Sequence, residues 1–191
     1  PVNMMLSASI VLRHRRFVDV RLWLRTVAFM MVGLPIGMLT ARTADAGSLV
    51  HAFGVLVVVL GALSLLHVAS PSKAVANVTL IAAGVVHGAF GTGGPLAVFA
   101  LGHEVKNDDA ASKSRFRATL AALWITLNVA LVAGFALDGR INAASALHSA
   151  SIAPALFVGL FLGEILHRRI SVARFRVAVW VALVLIGVSL I

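Results

Sequence analysis

The eight residues 88–95 contain four glycines and a proline and interrupt the apolar stretch 75–101; the site candidates among them are Gly91, Thr92, Gly93, Gly94 and Pro95. A straight helix does not tolerate this sequence, and Pro95 suits the first position of a new helix. The start of a helix leaves N–H groups without partners and carries a positive dipole end, which suits a small oxyanion. Glycine lets the backbone approach a ligand closely, and Thr92 can cap the helix or offer its hydroxyl. The pattern predicts an anion site, while a glycine-rich packing kink between helices stays open.

Other polar side chains in apolar stretches extend this candidate site. His87, one turn before the break, can donate to an anion, accept a coupled proton, or simply pack with a hydrogen bond. Asn128 lies mid-span and needs a partner, which either the tip of the broken segment or a polar contact between helices without substrate would supply. We expect pathway residues and basic residues of the cytoplasmic entrance at Asn77, Thr126, Ser149, Ser151, Arg115 and Arg117. For the pathway residues, polar packing between helices is the alternative, and for the two arginines it is anchoring at the lipid headgroups.

The composition restricts the class of protein that can carry these residues. Of 191 residues, 60% are hydrophobic and only 12% are charged, against about 25% charged in soluble domains. This indicates a membrane protein and excludes a soluble enzyme. The absence of cysteine excludes disulfides, cysteine-ligated zinc and iron–sulfur clusters. No cofactor is expected. The excess of 16 basic over seven acidic residues lies at the ends of apolar spans, so we expect a lipid bilayer and no nucleic acid as partner.

The apolar segments predict an all-α polytopic transmembrane helical bundle. The straight spans are 22–41, 49–69, 118–137, 143–166 and 177–191. If the broken segment 75–101 enters and returns on one side, 14 basic residues share that side and only Arg42 and Arg140 lie opposite. A single crossing would leave no bias. The pattern therefore favours a re-entrant hairpin with halves of about 12 residues that meet near the bilayer midplane. The loops 13–25, 70–74, 102–117 and 167–176 are then cytoplasmic, in the inner (plasma) membrane.

A glycine pattern indicates an internal repeat. Gly33, Gly37 and Gly61 recur at the same spacings 126 residues later as Gly159, Gly163 and Gly187, although chance coincidence is the alternative. The copies would be inverted, as in many secondary transporters. We expect residues 1–69 to be the remnant of the first repeat and 70–191 the second. The other broken helix would precede Pro1, so we expect the chain to begin inside a longer protein.

The segment Gly84-Val-Val-His-Gly-Ala-Phe-Gly-Thr-Gly-Gly-Pro95 resembles the TauE/SafE sulfite exporter family. Arg115-Phe-Arg-Ala-Thr-Leu120, Asn128, the helix and basic loop 154–169 and the loop 13–25 are also similar to the family pattern. Two departures are the absent first glycine-rich segment and Pro95, which stands where the family has a third glycine. The resemblance implies export of sulfite, organosulfonates or related small anions.

These features together predict a secondary transporter that exports small anions by alternating access. The membrane potential favours the exit of an anion by about 2.3 kcal/mol per charge and 100 mV, and no nucleotide-binding loop occurs in the sequence. An enzyme is not expected, because no Gly-x-Ser-x-Gly motif is present and no two acids share a span. A non-transporting membrane assembly subunit or an anion channel is the alternative, and homo-oligomer formation stays open.

Overall fold

The computed structural model describes residues 2–65, 72–101, 110–139 and 141–142, and from 147 onward only 147, 150–151, 154–155, 158–159, 181–182 and 184–191. In these ranges every regular element is helical. The helices are α1 (Val2–His14), a 3-10 turn (Arg15–Phe17), α2 (Val20–Thr43), α3 (Ala46–Leu65), α4 (Lys73–Phe90), α5 (Gly94–Leu101) and α6 (Ala110–Leu137).

Three of these helices are long and apolar enough to cross a membrane: Val20–Thr43, Lys73–Phe90 and Ser114–Leu137. Their surfaces carry large exposed apolar side chains, for example Leu39 at 58% and Val78 at 67% exposure, as lipid contact requires. The predicted spans 22–41 and 118–137 fall within α2 and α6, and α3 covers most of 49–69. The span 143–166 lies largely outside the described residues, whereas in 177–191 the described residues 181–182 and 184–189 are helical. The all-helical membrane class is confirmed.

The chain divides into two compact units that interleave along the sequence. The first contains Pro1–Arg42 and Ser70–Ala146, and the second contains Thr43–Ala69 and Leu147–Ile191. In the second unit Gly54 and Gly187 face each other, since a Cβ on either would lie 2.8 Å from the carbonyl oxygen of the other. The candidate hairpin lies entirely in the first unit. The repeat boundary at 69/70 stays a prediction.

In the first unit, α2 and α6 run parallel and are joined along their length. The Asp19 N–H donates to Thr119 Oγ1 at 2.9 Å, and Trp23 Nε1 donates to Thr126 Oγ1 at 3.3 Å. At the other end, Arg42 forms an ion pair with Asp138. The paired residues are 96 to 103 positions apart in all three contacts. The contacts therefore advance in the same direction along both helices, so α2 and α6 begin at the same end of the unit.

α4 is parallel to α2 as well, and α5 turns back along α4. Arg25 donates from Nε and Nη2 to Asn77 Oδ1 at 3.1 and 2.8 Å, and further along the helices Gly84 lies against the backbone of Met30. α4 and α5 pack on each other. Their small side chains share one buried core with Met30, Leu123 and Leu127; these are Ala76, Ala83, Ala97 and Ala100. α4 and α6 therefore both begin at the end of α2 that carries Asp19.

The first arm of the hairpin is longer than the expected 12 residues or so, since α4 has 18 residues. α5 is described from Gly94 to Leu101, where the described range ends. Gly88, expected within the break, is helical and buried, because it lies against the backbone of α2 at Leu34. Packing against α2 thus compensates for the low helix propensity of glycine. α5 begins at Gly94, which makes Pro95 its second residue rather than its first.

Candidate functional site

The turn between α4 and α5 is built by Gly91, Thr92 and Gly93. Gly91 ends α4 in the left-handed region, with φ +69° and ψ 12°, and its N–H donates to the carbonyl of His87 at 2.8 Å. This conformation costs a residue with a Cβ about 1–2 kcal/mol. The Gly93 carbonyl then accepts from the Ala97 N–H at 3.1 Å and starts α5. No described group hydrogen-bonds to the Thr92 hydroxyl, so it does not cap α5.

The first residues of α5 lie between α4 and α6. A Cβ on Gly93 would overlap the Ala83 carbonyl and lie 3.1 Å from His87 Cβ. On the other side, a Cβ on Gly94 would lie 3.8 Å from the Trp124 ring, which is ordinary contact. The N–H groups of the first turn of a helix have no partner within that helix. The positive end of α5 is therefore close to both His87 and Trp124.

His87 is the most unusual polar side chain of the hairpin. It is only 2% exposed, and neither Nδ1 nor Nε2 has a hydrogen-bond partner among the described residues. Its ring stacks on that of Trp124, with centroids 5.8 Å apart and planes 28° apart. Leaving buried polar atoms unsatisfied costs about 1–3 kcal/mol each. An imidazole in this state, beside a helix N-terminus, has the capacity to donate to a ligand at the tip.

α6 presents one stripe of residues to the hairpin. Trp124 contacts His87, and Leu131 Cδ2 would lie 3.9 Å from a Cβ on Gly91. Asn128 falls between them at helical spacing, so it belongs to the same stripe. Its Nδ2 donates to the Trp124 carbonyl at 2.7 Å. The structure thus brings Asn128 to the side of α6 that faces the tip, with its amide bonded within its own helix.

The predicted pathway residues have different surroundings. Asn77 accepts the two hydrogen bonds from Arg25, and Thr126 accepts from Trp23 while it donates to the Ala122 carbonyl. Both residues join α2 to a neighbouring helix, which is the packing role that the sequence left open. Ser151 is helical and exposed in the second unit, and Ser149 lies outside the described residues.

The two arginines of the predicted entrance are not equivalent. Both are exposed on α6. Arg115 lines an open cleft of about 320 Å³ together with the 3-10 turn and the start of α2, whereas Arg117 does not line it. Within the part of the chain that the structure describes, no group of three or more His, Cys, Asp or Glu residues is arranged to hold a metal ion.

Sequence reasoning missed the contact that holds the hairpin in place. Gly33 and Gly37 of α2 face Gly84 and Gly88 of α4, and the two backbones touch. A Cβ on Gly37 would overlap the Val85 carbonyl and lie 2.8 Å from the Ala89 nitrogen. Each pair is a Gly-x-x-x-Gly motif in an apolar helix, which was the available signal for a close helix–helix contact.

Comparison with known proteins identifies the family. The family model described as Sulfite exporter TauE/SafE matches residues 1–190. No curated protein and no solved structure matches the chain. The family match covers the hairpin, the glycine contact and the basic ends of α2 and α6, and it confirms the resemblance found in the sequence. The chain belongs to the TauE/SafE sulfite exporter family of membrane transporters.

Proposed function

We propose that this protein is a secondary transporter that exports sulfite, organosulfonates or related sulfur oxyanions by alternating access around the tip of the α4–α5 hairpin. The observation that carries this proposal is His87, a fully buried imidazole without a hydrogen-bond partner among the described residues, beside the N-terminus of α5. An oxyanion at the tip would accept from both groups.

The donors near the tip suit a small anion. The first turn of α5 offers backbone N–H groups and a partial positive charge, the Thr92 hydroxyl is free of described partners, and His87 adds one ring N–H when it is neutral. These donors need no formal charge. A lysine or arginine at the bilayer centre would cost at least about 3 kcal/mol, so dipoles are the cheaper way to bind an anion there.

The helix directions support a re-entrant hairpin. α2, α4 and α6 are parallel and begin at one end of the unit, which fits a segment 73–101 that enters and leaves on the same side of the membrane. The basic residue counts favour the same topology and make that side cytoplasmic. Met30, near the middle of α2, would lie with its Cε 3.2 Å from a Cβ on Gly93. The end of α4 lies against Leu34 and Met38, so the tip would lie inside the membrane, somewhat beyond the middle of α2 and close to the central site that alternating access uses.

The repeat organisation belongs to the same proposal. Residues 1–69 and 70–191 would be parts of two inverted repeats, as the matched spacings of Gly33, Gly37 and Gly61 with Gly159, Gly163 and Gly187 suggest. The close glycine contacts of each unit include residues of this pattern, namely Gly33 and Gly37 in the first unit and Gly187 in the second. The site would accordingly need contributions from two broken helices.

The decisive experiment measures flux of sulfite and of small sulfonates in proteoliposomes for the wild type and for His87→Phe. Phenylalanine keeps the stacking on Trp124 and removes both ring nitrogens, so we expect saturable flux to fall at least about tenfold, the loss of one good hydrogen bond. The unfolding temperature should stay the same or rise, because two unsatisfied buried atoms disappear.

Two controls complete the experiment. Thr126→Val removes the bond from Trp23 and should lower the free energy of unfolding by about 1 kcal/mol with little change in flux. His87→Gln, which keeps a donor, should retain part of the flux. Wild-type flux in folded His87→Phe would refute the site assignment, and flux that does not saturate with substrate would favour a channel.

A further inference from the structure

We propose that the open cleft at the start of α2 binds the phosphate of an anionic phospholipid headgroup. The cleft has a volume of about 320 Å³ and lies between the 3-10 turn, the first residues of α2 and α6. Its lining includes Arg16, Arg21 and Arg115, with Asp19, Phe17 and Val20 beside them. It does not include the hairpin tip, so this inference does not depend on the proposed transport site.

The backbone of the cleft is held in place by hydrogen bonds. The Asp19 carboxylate caps α2 by accepting from the Leu22 N–H at 3.0 Å, and the Asp19 N–H donates to Thr119 Oγ1 at 2.9 Å. Thr119 in turn donates to the Arg115 carbonyl at 2.8 Å. One short chain of bonds thus connects the backbones that carry the arginines from the two helices, which lowers the ordering cost of binding a ligand between them.

The charges of the cleft favour an anion. The residues that line it carry three guanidinium groups and one carboxylate, and an oxygen of that carboxylate accepts the N–H that caps α2. In the described ranges, no carboxylate forms an ion pair with any of these three arginines; the ion pair there is Arg42–Asp138, at the opposite end of α2. Guanidinium groups bind phosphate oxygens through paired N–H donors.

The surroundings favour a lipid over a free anion. Val20 is 56% exposed and Leu24 is 53% exposed, so apolar side chains continue from the cleft along the outside of α2. This helix is long and apolar enough to span the membrane and begins at the cleft. The arginines would therefore lie at headgroup level and the valine and leucine at acyl-chain level, which matches the two parts of a phospholipid.

The test is a binding titration on the purified full chain in detergent, read by native mass spectrometry. The probes are short-chain phosphatidylglycerol, short-chain phosphatidylcholine and inorganic phosphate. We expect phosphatidylglycerol to bind the wild type in preference to the other two. In the double variant Arg21→Gln/Arg115→Gln its affinity should fall about tenfold or more, because charge-assisted hydrogen bonds are lost. Arg117→Gln, which removes another exposed arginine of α6 that does not line the cleft, should bind like the wild type.

A variant with the opposite effect sharpens the test. Asp19→Asn keeps a side-chain oxygen that can cap α2 and removes the negative charge, so phosphatidylglycerol should bind more tightly. Circular dichroism of every variant checks folding. Equal loss of affinity in Arg117→Gln would mean attraction by general surface charge and would overturn the proposal. Inorganic phosphate that binds as well as phosphatidylglycerol would assign the cleft to a free anion instead, and equal binding of the two lipids would also overturn the proposal.

Discussion

Glycine serves opposite purposes in two neighbouring regions of the first unit. Between α2 and α4, glycines such as Gly37 and Gly84 bring two backbones into contact and leave no space for a side chain. At the hairpin tip, Gly91 supplies a left-handed turn, and a Cβ on Gly94 would meet Trp124 only at 3.8 Å. The first region leaves no space for a side chain, whereas at the tip an added Cβ would overlap the backbone only at Gly93.

This difference shows that a glycine-rich sequence is not by itself a site. Eleven residues, 84–94, contain five glycines, and the first two of these serve helix packing. What distinguishes the tip is the unsatisfied polar group beside it, because His87 is buried without a described partner. A rigid α2–α4 contact also makes the position of that histidine reproducible, which a binding site requires.

The largest effect on stability is expected at the glycines between α2 and α4. Gly37→Ala or Gly84→Ala would push a methyl group into a backbone carbonyl of the facing helix, and a backbone cannot move aside as a side chain does. We expect the free energy of unfolding to fall by about 3 kcal/mol, the upper end for overpacking, measured by denaturant titration in detergent. Gly159→Ala is the control, since no described atom lies within 4 Å of its added Cβ. An unchanged free energy of unfolding in Gly37→Ala would mean that α2 and α4 lie further apart than in this structure.

A smaller effect is expected at the turn. Gly91→Ala has space, with only Leu131 at 3.9 Å from the new Cβ, but the residue must keep φ +69°. This should lower the free energy of unfolding by about 1–2 kcal/mol, in the same titration. Gly91→Asn should lower the free energy of unfolding less than Gly91→Ala does, because asparagine adopts the left-handed region more readily than alanine. If Gly91→Asn loses more of the free energy of unfolding than Gly91→Ala, side-chain volume rather than backbone conformation limits this position.

The smallest effect on stability is expected at Gly94. The new methyl group of Gly94→Ala would make ordinary contact with Trp124, so the free energy of unfolding should stay within about 0.5 kcal/mol of the wild type. The methyl group would still narrow the space in front of the first N–H groups of α5. We therefore expect weaker apparent affinity for the transported anion, measured as a raised KM in proteoliposomes. An unchanged KM would separate Gly94 from the site.

Much of the fold is predictable from the sequence because hydropathy and helix breaking are local properties. The helical class, the spans 22–41 and 118–137 and an interruption near 91–95 follow from which residues stand next to each other. The length of α4 does not follow from such local patterns. α4 continues through Gly88 to Phe90 because α2 packs against it, and this contact joins residues far apart in the chain.

The candidate site is predictable in part for the same reason. His87 and the residues 91–95 are marked by their types and their position in an apolar stretch. The sequence does not predict the stacking of Trp124 on His87, because this contact depends on how α6 is rotated against the hairpin. Asn77 and Thr126 look like pathway residues in the sequence, yet each is bonded to α2 in the structure.

The sequence by itself determined that this protein is a helical membrane protein with a broken helix, because composition, glycine and proline act locally on the backbone, and its motifs carry the resemblance to the TauE/SafE family. The parallel arrangement of α2, α4 and α6 agrees with the expectation, drawn from the basic residues of the sequence, that these helices begin on one side. Tertiary structure alone decided which glycines pack and which shape the tip, and which polar side chains are satisfied. The physical reason is that close packing and hydrogen bonding depend on distances between helices, which no local pattern specifies.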